Sequence, residues 1–387
     1  MVRLIAAACA GTALVATSAC SLTESSDSPK AGPDGALTVT SSDDACTLSA
    51  DEAPSGRLVF NVTNTGGKVT EFYVYSADGT KIVAEVENIG PGLSRDLVLT
   101  ARPGGYLTAC KPGMSGQGIR AKFTVTDSGR KVGITGVDQA DIDQATEHYR
   151  SYVREQSSAL LAGTQDFVAA YRTHRDDHAR SLYADTRAHW ERIEPVAESF
   201  GDLDPKMDLR EADLEQGQEW TGWHRIEKDL WPPAKGYRPL DDAQRRRYAA
   251  DLLANTEELD RRVAGLELGI DQIGNGSKEL LDEVASTKIT GEEELFSHTD
   301  LADVQANVDG ARAGFEAVED LLRVKDAELR EAIEERFDDL EKVLGSHRTG
   351  DGFVSYDKVS EALRKELSDA VNALAEPLSK MTGVLTL

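Results

Sequence analysis

Hydrophobic and polar positions follow two different rhythms along the 387 residues of the chain. Between residues 36 and 127 the apolar residues come in short β-rich runs: "ALTVTS", "RLVFNVTN", "EFYVYSA", "KIVAEVENI", "RDLVLTA", "GYLTAC" and "IRAKFTVTD". Glycine, proline and asparagine punctuate them, as in "GG", "DG", "GPG" and "RPGG". Such runs, at close spacing, predict an antiparallel two-sheet sandwich. Residues 128–137 read as a linker. From 138 onward "YRSYVREQSSALLAGTQDFVAAY", "LADVQANVDGARAGFEAVEDLL" and "AELREAIEERFDDLEKVL" place apolar residues at three- and four-residue steps. That is the period of helices with one buried face. With few prolines and no further β-rich run, residues 138–387 are expected to form an all-α bundle. No internal repeat of the solenoid kind is visible.

The N-terminus has a different texture. Arg3 precedes an apolar run of 16 residues, Leu4 to Ala19. It is short for a bilayer span and suits an export signal. The run ends in Thr17-Ser18-Ala19 followed by Cys20, which resembles a bacterial lipobox, with Thr17 where leucine is usual. Residues 1–20 are thus expected to be a lipoprotein signal, with Cys20 lipidated. Residues 21–35 read as a flexible tether. No other segment suits a membrane span, so the body is expected to be soluble, extracytoplasmic and lipid-anchored. The net charge of −25 speaks against nucleic acid and favours cations. Of that charge, −22 lies beyond residue 127, where most acids are expected on solvated helix faces.

Cysteine and histidine positions narrow the chemistry. Beyond Cys9 and Cys20 only Cys46 and Cys110 remain. In an oxidising compartment two cysteines most often form a disulfide, and the alternative is a pair of metal ligands. All seven histidines (148, 174, 178, 189, 224, 298 and 347) lie in the helical part. A blue-copper site needs two histidines beside its cysteine, so Cys110 and Met114 cannot make one in the sandwich. Glu85 and Glu87, two apart on a strand, are expected to share a face. They would keep that face wet or hold a hard cation, and the residues alone favour the wet face.

In the helical part, Glu191 and Glu194 are three apart before Pro195, which is expected to end or kink their helix. His224 and Glu227 are also three apart, the spacing that puts two side chains on one helix face. Bundle-core metal sites combine such pairs from several helices, and imidazole with carboxylate suits iron or zinc. Trp220, Trp223 and Trp231 offer a dry wall and indole N–H groups. The alternative is a buried salt-linked pair in a Trp-rich core. The nearby acids Asp202, Asp204, Asp208 and Glu211 favour the metal. "EEELFSHTD", 292–300, reads as a third ligand-bearing segment or as acids at a helix N-terminus. His174 and His178, among charges, read as a solvated face. "HRTGDGFVSYDK" fails as a calcium loop, because His347 and Lys358 fall at the first and last ligand positions.

"ERIEPVAESFGDLDP", "EWTGWHRIEK" and "SHTDLADVQANVDGA" resemble the imelysin-like domain with its HxxE motif. Cys46, "TEFYVY", "VAEVENIGPG" and "GYLTACKPG" resemble the cupredoxin-like domain fused to it in the EfeO-type lipoproteins of Efe iron-uptake systems. The resemblance covers nearly the whole chain after the signal. Trp190 stands where tyrosine is expected and Ala302 where an aromatic is expected, departures that touch packing more than ligands. The resemblance implies an iron-binding component, with copper or zinc as alternative cargo, that works with a membrane iron permease and a haem peroxidase. It implies Glu191, Glu194, Asp204, His224 and Glu227 as ligands in the helical domain, and Cys46, Glu71, Glu85 and Cys110 as a site in the sandwich. Imelysin-like domains are also classed with peptidases. A zinc peptidase would need a third ligand such as His298, an open position and a base, and HExxH is absent. The expectation is therefore a non-enzymatic metal carrier. A zinc peptidase and a structural or adhesive lipoprotein are the alternatives.

Overall fold

The computed structural model describes residues 36–386 apart from positions 80, 115, 116, 131–135, 215 and 351. The signal, the tether and Cys20 lie outside the described residues. Among the described residues, nine strands build the first domain: β1 Ala36–Ser41, β2 Cys46–Leu48, β3 Glu52–Pro54, β4 Gly56–Asn64, β5 Thr70–Ser76, β6 Ile82–Ile89, β7 Ser94–Ala101, β8 Gly104–Cys110 and β9 Ile119–Thr126. They form a four-stranded sheet, β2-β1-β4-β7, and a five-stranded sheet, β3-β9-β8-β5-β6. Alternate residues of β1 and β4 point inward, and Phe60, Phe72 and Phe123 meet between the sheets at centroid distances of 5.3 and 5.5 Å. The sandwich is not wholly antiparallel. β1 runs parallel to β4, and β3 to β9, because β2 and β3 carry the chain across to the other sheet and back.

Cys46 of β2 is bonded to Cys110 at the end of β8, which ties the two sheets together. Two sulfurs joined to each other have no thiolate to offer, so Cys46 and Cys110 are not metal ligands here. The implied four-residue sandwich site thus loses both cysteines, and of its members only Glu71 and Glu85 keep a group that could bind a metal.

Ten helices follow among the described residues: α1 Gln139–Tyr171, α2 Asp176–Glu191, α3 Glu194–Glu198, α4 Asp204–Met207, α5 Gly222–Leu230, α6 Asp242–Val263, α7 Ile270–Ser286, α8 Asp300–Lys325, α9 Ala327–Gly345 and α10 Glu361–Thr386. Among these residues no helix is long and apolar enough to cross a membrane. α8 sits in the middle of the bundle, against α1, α2, α7, α9 and α10. Leu301, Val304, Val308, Ala311 and Phe315 bury its apolar side, yet Asp300, Asp303 and Asn307 are buried with them. Their steps of three and four put these polar groups on one stripe of the helix.

β6 and β7 dock on α7. Thr100 N donates to Asp271 Oδ2 at 2.7 Å, Asn275 Nδ2 donates to Val98 O at 2.9 Å, and Ile82 N donates to Ser199 O at 3.0 Å. The outer face of the five-stranded sheet therefore looks into a cleft of about 1130 Å³ between the domains, whose walls include Glu71, Glu85, Glu87, Glu198 and Asp204. Against the wet-face expectation, Glu85 is only 6% exposed, while Glu87 is half-buried, and both line this cleft rather than an open sheet face.

Candidate metal centre

α5 starts on Gly222, whose φ of +84° few other residues adopt. A Cβ at this position would strike the Met207 carbonyl of α4. That close approach sets α5 against α4, and one turn of α5 then aims His224 and Glu227 at the same place, as their spacing predicts. His224 is 2% exposed and Glu227 not at all. His224 Nδ1 lies 3.3 Å from Glu227 Oε2, and Glu227 Oε1 accepts from the backbone N–H groups of Phe296 (2.9 Å) and Ser297 (2.7 Å). Glu227 thus holds the imidazole and is itself held.

The other ring nitrogen is the informative atom. Nε2 lies 3.4 Å from Asp208 Oδ1 and 3.5 Å from Glu293 Oε1, and it makes no directed hydrogen bond. Asp208, His224 and Glu293 each offer one ligand atom within 4.8 Å of the others, as do His224, Glu227 and Glu294. All of these residues are buried. The segment 292–300 thus places Glu293 and Glu294 beside His224. Trp190 Nε1 donates to Asp208 Oδ2 at 2.8 Å. The tryptophan in the tyrosine position therefore bears directly on a candidate ligand, contrary to expectation. Trp223 contributes packing, against Phe167 and Tyr183, and Trp220 binds the Leu209 carbonyl.

Glu191 and Glu194 flank the break between α2 and α3, with Pro195 in the first turn of α3. With Asp208 they form another group whose ligand atoms lie within 4.8 Å of one another. Both also bind Lys288, which has no exposure, and both accept from Asn307 Nδ2. Arg187, equally buried, pairs with Glu191, Asp208, Glu293, Glu294 and Asp303. Asp204 does not join them. It is half-buried and lines the cleft, where burial and the charge of Asp208 push its carboxyl up to about 7. His298 lines a separate cavity with Arg348 and Phe353 and is absent from the His224 groups. His174 is exposed and pairs with Asp242, as expected of a solvated face.

Sequence reasoning missed Arg187, Lys288, Asp303 and Asn307. Seven buried carboxylates (Glu191, Glu194, Asp208, Glu227, Glu293, Glu294 and Asp303) surround two permanent cations. Such an excess of buried negative charge must take up protons or a further cation. Burial and the charge of Glu191 push Glu194 up, and burial and the charge of Glu227 do the same to Glu294. Burial and Arg187 press the His224 imidazole down, but the hydrogen bond to Glu227 and the nearby carboxylates of Glu293 and Asp208 prevail, and its pKa stands at about 10. Against burial, Arg187 and His224 hold Asp208 low, and His224 and the two backbone amides hold Glu227 low. The site is therefore a buried cluster of hard oxygen donors around one imidazole, a donor set that could hold a metal ion.

Comparison with known proteins agrees with this architecture. The imelysin family model (peptidase M75) matches residues 145–381. An Efem/EfeO family lipoprotein from Staphylococcus haemolyticus is 43% identical over 252 residues, 64% of this chain and 86% of its own. The iron uptake system component EfeO of Yersinia pestis is 36% identical over 352 residues, 90% of this chain and 91% of its own. The crystal structure of a protein described as an iron-regulated protein A precursor, from Parabacteroides distasonis, superposes with a TM-score of 0.51 at 14% identity. It covers 66% of this chain and 98% of its own, and shows the fold alone. The chain belongs to the imelysin family, among the EfeO/EfeM lipoproteins.

Proposed function

We propose that this protein is the extracytoplasmic, lipid-anchored metal-binding component of an Efe-type iron-uptake system, with iron as its cargo and Cys20 as its anchor. It would hand iron to a membrane permease and work beside a haem peroxidase. The names of its relatives support the iron role. The observation that carries the binding reading is His224 Nε2, buried, without a hydrogen bond, and facing Asp208 and Glu293. Those three residues are the proposed ligands. Glu227 orients the imidazole through Nδ1, the arrangement by which carboxylates fix metal-binding histidines. Glu191 and Glu194 adjoin the site through Asp208 and share their charge with Lys288.

Burial also favours cargo over catalysis. A peptidase must bring a polypeptide to its metal, and a histidine 2% exposed among buried acids admits an ion but not a peptide. Calorimetry with ferrous iron under nitrogen tests the reading. His224→Ala should weaken binding by more than the roughly 10–100-fold that losing a group which merely orients a ligand costs. Unchanged affinity in that variant would end the proposal.

A further inference from the structure

The four groups of neighbouring ligand atoms share members. Glu198 and Glu283 stand with Glu194, Glu194 with Glu191 and Asp208, Asp208 with His224 and Glu293, and His224 with Glu227 and Glu294. Within each group the ligand atoms lie within 4.8 Å of one another. The series therefore runs unbroken from Glu198, half-buried in the wall of the interdomain cleft, to His224 in the core. At its outer end, Glu85 and Glu87 of β6 face the same cleft and their charges reach Glu198.

Two further observations set this series apart from an ordinary acidic surface. Its middle already holds a cation: the ammonium of Lys288, wholly buried, contacts Glu191, Glu194 at 2.8 Å and Glu283 at 3.5 Å. In addition, fully buried Asn307 directs its amide N–H at Glu191 and Glu194, and its own Oδ1 has no partner. A hard oxygen donor is thus left free beside carboxylates that bind a positive charge.

We propose that the interdomain cleft is the loading mouth of the His224 site. A ferrous ion enters between Glu87 and Glu198 and passes by way of Glu283, Glu194 and Glu191 to Asp208, while Lys288 releases its carboxylates one after another. The route rests on the metal reading of His224. Each step exchanges one set of carboxylate oxygens for the next, so the ion never crosses uncompensated apolar interior. The sandwich then has a role that needs no thiolate, since its Glu85 and Glu87 form the outer lip.

A route differs from a binding site in its kinetics. Obstructing it slows entry and exit together and leaves the equilibrium alone. Stopped-flow mixing of the full mature chain with ferrous iron under nitrogen, read by tryptophan fluorescence, measures both rates. Trp190, on Asp208, and Trp223, beside His224, are the reporters. Glu198→Gln combined with Glu283→Gln should lower the association and dissociation rates alike by about tenfold, the lower end of what a charged cleft adds to an on-rate. Glu198→Lys, which puts an ammonium in the mouth, should slow both further and tests the same point at a half-buried position that tolerates change. Unaltered rates would overturn the route, as would slower association with unchanged dissociation, the mark of remote steering, or faster dissociation, the mark of a lost direct ligand. In each case His224→Ala would still lose affinity, which separates failure of the route from failure of the site.

Discussion

Arg187 carries its charge where no water reaches it. Its guanidinium has five donors in a rigid fork, and it meets Glu191, Asp208, Glu293, Glu294 and Asp303. It shares Asp208 and Glu293 with His224, so an ion bound there as proposed would compete with it for the same oxygens. Removing one partner of a buried ion pair costs about 3–5 kcal/mol, because the other is left uncompensated. Arg187→Met keeps the bulk and removes the charge. The metal-free variant should lose stability of that order in urea denaturation, and ferrous iron should restore more stability to it than it adds to the parent. If the metal-free variant were as stable as the parent, the surrounding acids would have to be neutral and the competition would not exist. Little of this is readable from the sequence. The His224/Glu227 step identifies itself by spacing, and the run of three glutamates at 292–294 points to Glu293 and Glu294. Arg187 and Lys288 look like any basic residues on acid-rich segments, and only the fold brings them inward. Asp300, Asp303 and Asn307 do carry a signal, three polar residues at helical steps within an otherwise apolar face. Asp204 opens α4 just before Pro205, and it lines the cleft instead of joining the groups around His224.

At the scale of elements, the site depends on how α5 meets α4. Gly222 combines a left-handed φ with a backbone contact, so alanine there meets two obstacles. Gly236 has a similar φ of +79° and open space around it. Gly236→Ala should cost about 1–2 kcal/mol, the left-handed penalty alone. Gly222→Ala should cost clearly more, and should also weaken metal binding by displacing His224. Equal costs in thermal unfolding would show that α5 yields to the Met207 carbonyl without consequence. The elements themselves are largely legible. Seven runs correspond to β1 and β4 to β9, and Pro195 marks the place where α2 gives way to α3. β2 and β3 escape notice because each has three residues in a Ser- and Asp-rich stretch too short to alternate. What makes them strands is long-range pairing, β2 with β1 and β3 with β9, and a disulfide from β2 to β8.

At the scale of the whole molecule, buried charge couples stability to pH and to metal. Burial is the first cause that raises Asp300 to about 6, Asp204 to about 7 and Glu279, in the contact between domains, to about 8. In the unfolded chain these acids titrate near 4. Between about pH 4 and 8 the folded state therefore holds protons that the unfolded state has released, and stability falls as pH rises. His224 acts in the same direction. Its pKa is about 10 when folded and near 6.5 when unfolded, so its contribution is complete below about 6.5 and is lost towards 10. Asp208 and Glu227, held low, lose their contribution only in acid. The metal-free protein should thus be most stable near pH 5, and its Tm should fall by about 5 °C or more by pH 9. An ion at His224 replaces the imidazole proton and compensates the acids. The loaded protein should hold its Tm over the same range, and affinity should rise with pH as proton competition fades. Melting curves from pH 5 to 9, with chelator and with ferrous iron under nitrogen, test both statements. A metal-free Tm that climbs steadily across that range would mean the buried carboxylates are compensated without metal, and the centre would then be a structural ion-pair network.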